Sequence, residues 1–332
     1  MDHKSKIAET LYNKPPFQVK PIHPIDKEIY EETCEVVRTD KFPEMPEDQI
    51  QKLNEYWKNV VKRKYRYFRN DIPLANLEGL KLRIENGKVK EIVETWGKIT
   101  YDHFVGAWNS DLDPRCAPID EEYRKEINPL SFTTVIVTDD NKIPMCYRAE
   151  NVLGPNKETP IAQGVLLYEK DPLETVLRRL EIEVGIKKED IEEGPVLLGF
   201  GTHGDYGDIT RCLHIKTKSD SKEIEKGLSG ERIKKGYNKG LHFIDNDPRS
   251  IAEYIVNRYY NTTWDSPGNM LLYMMHAFPE EARELIYELN KLPEFKNRGG
   301  VVANSLCELI MPRKIKVEYV EKYDPEAIAY AN

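Results

Sequence analysis

Acidic and basic side chains alternate on a helical pattern between Gly164 and Ile186: Glu169, Lys170 and Asp171, then Glu174, Arg178, Arg179, Glu181 and Glu183. Carboxylates gathered on one helix face hold a hard divalent cation, whereas guanidinium and ammonium groups grip phosphate directly. This run therefore has the residue types to serve a phosphorylated ligand in either way. Laid out at roughly 100° per residue, Leu173, Val176, Leu177, Leu180 and Val184 form one apolar stripe, the face expected to be buried. Glu174 and Glu181 lie beyond one edge of it, Arg179 and Glu183 at the other edge. Arg179 and Glu183 are one turn apart and can pair. Ile182 falls outside the core stripe, where an apolar residue either lines a ligand or lies under another segment.

Other candidate groups are scattered. Gly199 to Gly204 spells the spacing of a dinucleotide loop and follows a strand, but the acids and glycine at Asp205 to Asp208 lead into a second strand. That motif needs a helix next, whose dipole receives the pyrophosphate, so a hairpin loop is the expected structure. His203, Asp205 and Asp208 in this loop could supply a base or cation ligands, and His214 and His242 could face a ligand. Lys62 to Arg69 is basic and aromatic, a composition that suits either a phosphate-binding face or an ordinary helix C-terminus. Cys34, Cys116, Cys146, Cys212 and Cys307 are odd in number and widely spaced, which signals neither a disulfide framework nor a zinc site. No Ser-His-Asp set or Walker loop is visible.

The elements that must position these groups are legible in part. Asp171-Pro172 opens the helix with an N-cap acid and a proline in the first turn, and Gly185 closes it. Strands are expected at Ser131 to Thr138, Lys142 to Arg148, Gly164 to Tyr168, Val196 to Phe200, Ile209 to Thr217, Leu241 to Ile244 and Ile315 to Tyr319. Helices are expected at Pro248 to Tyr259, from Ser266-Pro267, and at Pro279 to Leu292. Upstream, a proline-rich arm with a short helical candidate at Asp26 to Arg38 precedes a helix from Pro46. Leu80 to Ile84 and Val89 to Val93 flank Asn86-Gly87, a strong hairpin signal. A boundary is expected before Pro129.

The segment from Gly164 to Ile186 resembles the Nudix box, with the family glycine at Gly164, the arginine at Arg178, the aliphatic at Leu180, the last glutamate at Glu183 and the closing pair at Gly185-Ile186. The resemblance implies that carboxylates of this helix hold magnesium, which neutralises a diphosphate and helps activate a water for attack at phosphorus. Lys170, Arg179 and Ile182 stand where the family carries glutamates, so of those acids only Glu183 remains, as both catalytic and metal-ligand candidate. Three negative charges are lost and two positive ones gained.

The resemblance implies an α/β fold, a Nudix-like α/β/α sandwich with a mixed sheet, expected over residues 128–332; the N-terminal arm and α+β extension over 1–127 lies outside the resemblance and follows from domain length. The expected function is binding of a nucleotide-like or other phosphorylated small molecule with little or no hydrolysis. Lys170, Arg178 and Arg179 would contact phosphate, and Ile182, His203 and Asp205 would complete the site. One alternative is a magnesium-dependent pyrophosphohydrolase of nucleoside-diphosphate derivatives using Glu183 and acids from elsewhere; magnesium enters only in that case. Another is a protein-interaction scaffold whose cleft is filled by the chain's own extension or by a partner.

The whole chain sets outer bounds. Its 332 residues carry 49 Lys+Arg against 57 Asp+Glu, a net charge of −8, with 39% hydrophobic residues. Such an acidic balance argues against a dedicated nucleic-acid binder. No apolar run approaches the roughly 18 residues of a membrane span, and the first residues lack a signal-peptide core. A cytoplasmic protein is expected, with a homo-oligomer left open.

Overall fold

The computed structural model describes residues 17–22, 34–62, 72–86, 88–109, 119–149, 157–203, 208–228, 238–258, 262–263, 265–297, 299–311 and 313–322. In chain order the elements are β1 (Phe17–Pro21), β2 (Cys34–Arg38), α1 (Glu47–Tyr56), β3 (Leu74–Glu85), β4 (Lys88–Ile99) and α2 (Tyr101–Asn109). There follow β5 (Leu130–Val137), β6 (Lys142–Arg148), β7 (Glu158–Pro160), β8 (Gly164–Val165), α3 (Pro172–Val184), β9 (Ile191–His203) and β10 (Ile209–Thr217). The remainder comprises α4 (Ser221–Leu228), β11 (Asn238–Asp245), α5 (Pro248–Arg258), α6 (Asp265–Ala277), α7 (Pro279–Leu289) and β12 (Lys316–Lys322). The fold is mixed α/β.

Three sheets organise it. A mixed five-stranded sheet runs β1-β9-β10-β5-β8, with β10 and β5 parallel. Its two faces are read from the alternation of side chains along β5: Phe132 and Ile136 join one hydrophobic cluster with Val176, Leu180 and Val184 of α3, while Val135 and Val137 join another with Met270 to Met274 of α6. Helices thus cover both faces, a layered α/β/α arrangement. An antiparallel sheet β11-β6-β7 stands beside it, and a four-stranded sheet β12-β3-β4-β2 is built from the N-terminal region and the last strand.

Local signals set the turns. Asn141 takes φ 59° between β5 and β6, and Asn86 takes φ 51° after β3. Asp171 caps α3 by accepting from Glu174 N–H at 3.0 Å, and Gly185 ends it in the left-handed region at φ 76°.

Two segments differ from the sequence expectation. Cys34–Arg38, expected within a helix, is a strand parallel to β4, because its side chains complete a sheet edge rather than a helical stripe. The strand expected at Gly164 to Tyr168 keeps only Gly164–Val165; the residues after it are drawn into bonds with β3 and its approach. Two strand pairings join segments on either side of residue 128. β1 pairs with β9 of the five-stranded sheet, and β12 pairs in parallel with β3 of the N-terminal one. One hydrophobic cluster runs through both parts, joining Leu77, Leu80 and Trp96 to Phe132, Leu180 and Leu213.

Candidate functional site

Glu183 sits on the last turn of α3 and is buried at 2% exposure, although its helix position predicts an edge. Its Oε2 accepts the backbone N–H of Ala162 at 3.1 Å, and its Oε1 lies 3.8 Å from Arg179 Nη1. Ala162 holds φ 58°, a left-handed conformation that costs a residue with a Cβ about 1–2 kcal/mol. The Glu183 carboxylate therefore anchors a strained turn just before Gly164. The half-exposed Arg179 guanidinium lies over Gly164, where a Cβ would meet it at 3.6 Å.

The charges beside Glu183 come from β6 and α6. Arg148 ends β6, with its Nε closed off from solvent and without a hydrogen-bond partner among the described residues. Burial pushes its guanidinium pKa down, while the charges of Asp265 and Glu183 oppose that shift. With its amide oxygen turned toward Arg148, Gln163 links that guanidinium to Thr159 and, through its nitrogen at 3.0 Å, to Asp265 Oδ2. Asp265 opens α6. Burial, and then the neighbouring Asp208, push its carboxyl up to about 6. Asp208 itself is buried just before β10, with Thr210 Oγ1 donating to it at 3.4 Å and Ser131 Oγ 2.8 Å from Thr210 Oγ1. A polar band, Glu183-Arg148-Gln163-Asp265-Asp208, joined by hydrogen bonds at Gln163 and by charge interactions at its two ends, thus runs from the box helix to the start of α6.

Of the other expected site residues, Lys170, Arg178 and Ile182 do not join this band. Lys170 and Arg178 are exposed, and Ile182 is half-buried on the flank of α3. His203 ends β9, where its backbone pairs with Phe17, and Asp205 lies outside the described residues, as does the basic run from Arg63 onward. His214 is in the core against α6: its Nδ1 lies 3.3 Å from Val135 O, its ring 4.8 Å from that of Tyr273, and burial holds its pKa down at about 4. His242 faces the buried Glu158 at 3.4 Å, with Arg258 3.5 Å from the same carboxylate.

The loop between Gly164 and α3 is gripped by the N-terminal extension. Arg38 of β2 donates to the carbonyls of Tyr168 at 2.8 Å and Lys170 at 3.0 Å, and Tyr168 Oη donates to Thr39 O at 3.0 Å. Val165 and Leu167 pack against the hydrophobic cluster that contains Phe104 and Ala107 of α2. Sequence reasoning missed Arg148, Gln163 and Asp265. Arg148 reads as a polar strand end and Asp265 as a helix-opening acid, so only their juxtaposition marks them.

No family model and no curated protein matches this chain. Among solved structures it is similar to a mutT/nudix family protein from Listeria innocua, at 13% identity and a TM-score of 0.30 over 48% of this chain and 94% of that one. It is also similar to DR0079 from Deinococcus radiodurans, at 12% identity and a TM-score of 0.30 over 54% of this chain and 88% of that one. A third likeness is to a bifunctional NMN adenylyltransferase/ADP ribose pyrophosphatase from Francisella tularensis complexed with AMP and a manganese ion. There the identity is 13% and the TM-score 0.25, over 47% of this chain and 42% of that one. At these values the likenesses assign neither family nor activity to this chain. No helix among the described residues is long and apolar enough to cross a membrane.

Proposed function

We propose that this chain binds a nucleotide-like or other phosphorylated small molecule beside the Nudix-like box helix, with little or no hydrolysis. One observation carries the reading: the box carboxylate Glu183 is engaged by Ala162 N–H and Arg179, and the charges around it are the guanidiniums of Arg179 and Arg148. A carboxylate neutralised in this way is a weak ligand for a divalent cation, and guanidinium groups meet phosphate oxygens directly. Arg179 offers a half-exposed guanidinium fork, with Lys170 and Arg178 as exposed cations on the same segment. The free thiols of Cys34, Cys146 and Cys212 fit a reducing compartment such as the cytosol.

The test is a thermal-shift panel of nucleoside mono- and diphosphate derivatives in chelator. Binding raises the melting temperature, by about 2.7 kcal/mol of stabilisation at a hundredfold excess over Kd. Loss of the shift in Arg179→Glu, with the fold intact, supports the site, and an unchanged shift removes the ligand from it.

A second reading, metal-dependent hydrolysis of a nucleoside-diphosphate derivative, is favoured by the Asp265 carboxyl. Held at about 6 in the same polar band, it is poised to exchange a proton near neutral pH. Turnover with magnesium or manganese that disappears in both Glu183→Gln and Asp265→Asn would establish this reading over the first.

A further inference from the structure

Beneath the first turns of α6 lies a second polar feature that the phosphate reading does not use. Gly268 of α6 faces β1, since a Cβ there would meet Val19 at 3.1 Å and Phe17 at 3.4 Å. Tyr273 faces β10, where its ring lies 4.8 Å from that of His214, tilted by 44°. Counted at roughly 100° per residue, Asp265 and Asn269 fall between those two directions and so point at the sheet. Asn269 is fully buried, and neither atom of its amide has a hydrogen-bond partner among the described residues. Asp265 Oδ1 and Thr133 Oγ1 are in the same condition, and Thr133 pairs with Cys212 on the face of the sheet that α6 covers. A small pocket between β1 and α6 is lined by Asp265, Thr210, Thr202 and Cys212 together with Phe17 and Val19.

Buried polar atoms without partners mark a place where something else supplies the bonds. Most of these atoms are acceptors, and they stand beside two carboxylates. We propose that Asp208 and Asp265, with the side-chain oxygens of Asn269 and Thr133, hold one hard cation of the Mg²⁺ or Ca²⁺ class under α6. The donor set is all oxygen, mixing charged and neutral groups as such ions require. Among the described residues no three His, Cys, Asp or Glu side chains gather as a metal site. Here the amide and hydroxyl complete what two carboxylates begin. Arg148, acting through Gln163 on Asp265 Oδ2, leaves Oδ1 turned to the ion, and the dipole of α6 opposes a cation only weakly beside two anions. The negative charge that the box helix lacks is thus supplied across the band, independently of any phosphorylated ligand.

Chelator-treated full-length protein should be titrated with Mn²⁺ alone, free ion being followed by electron paramagnetic resonance and competed with Mg²⁺ and Ca²⁺. A single saturable, competable site is expected, kept in Glu183→Gln and lost in Asp265→Asn and in Asp208→Asn, each checked for native circular dichroism. No saturable site in the wild type, or a site that survives both aspartate changes, overturns the proposal. A site lost in Glu183→Gln but kept in Asp265→Asn overturns it too. That last result would move the ion to the box helix and count against the proposed function, whereas the other two leave that function standing.

Discussion

At the box carboxylate, hydrogen bonding and charge pairing serve the protein's own structure, so Glu183→Gln should register first as instability. Weakening a buried charge-assisted bond to the strained Ala162 turn costs about 1.5–3 kcal/mol, readable by urea denaturation. The buried His214 and the half-buried Asp265 make opposed contributions to pH dependence. His214, held at about 4 against an ordinary 6.5, is protonated more readily in the unfolded chain, so its contribution to stability is present above pH 6.5 and is lost as pH falls toward 4. Asp265, raised from 3.8 to about 6, is deprotonated more readily in the unfolded chain, so its contribution is present below pH 3.8 and is lost as pH rises through 6. Each change is worth about 3 kcal/mol at 1.36 kcal/mol per unit, and the two nearly cancel between pH 4 and 6. His214→Phe should therefore make the protein more stable as pH falls through that window, and Asp265→Asn less so, in denaturation series at fixed ionic strength. In the ion-free protein Asp265→Asn should also stabilise at pH 7.5, the expected behaviour of a site kept at a cost to the fold.

Among the elements, α3 and the loop before it carry the functional question. The helix was legible residue by residue: the acid at Asp171, the proline after it and the glycine at Gly185 each act within one turn of chain. The burial of Glu183 was not, because the residue that covers it, Ala162, arrives from a loop shaped by β7 and β8. The loop from Gly164 to Lys170 was equally opaque, since its partners lie far back at Arg38 and Thr39. Arg38→Ala removes two donors from its carbonyls, and faster hydrogen–deuterium exchange should follow across residues 164–170 while α3 itself stays protected. Unchanged exchange there would mean that Val165 and Leu167, packed under α2, hold the loop without the clamp.

Across the whole molecule, a fully buried Arg211 on β10 reaches Glu94 on β4, and Trp96 Nε1 donates to the same carboxylate at 2.7 Å. This pair joins the five-stranded sheet to the N-terminal one. Arg211→Met leaves Glu94 buried without its counter-charge and should cost about 3–5 kcal/mol, while the double change with Glu94→Gln should recover part of it, as melting curves would show. The sequence by itself determined the α/β class, most strands and helices after residue 129, the capping of α3 and the reversal of charge at the box. These follow from side-chain periodicity and from turn chemistry, which act over a few residues. The tertiary structure alone decided that β1 and β12 cross between the two parts, that Glu183 is enclosed, and that Arg148, Asp265 and Asp208 meet. Those outcomes depend on which strands pair and which helix lies over which face. Pairings of that kind are fixed by burial summed over distant segments, which no local pattern encodes.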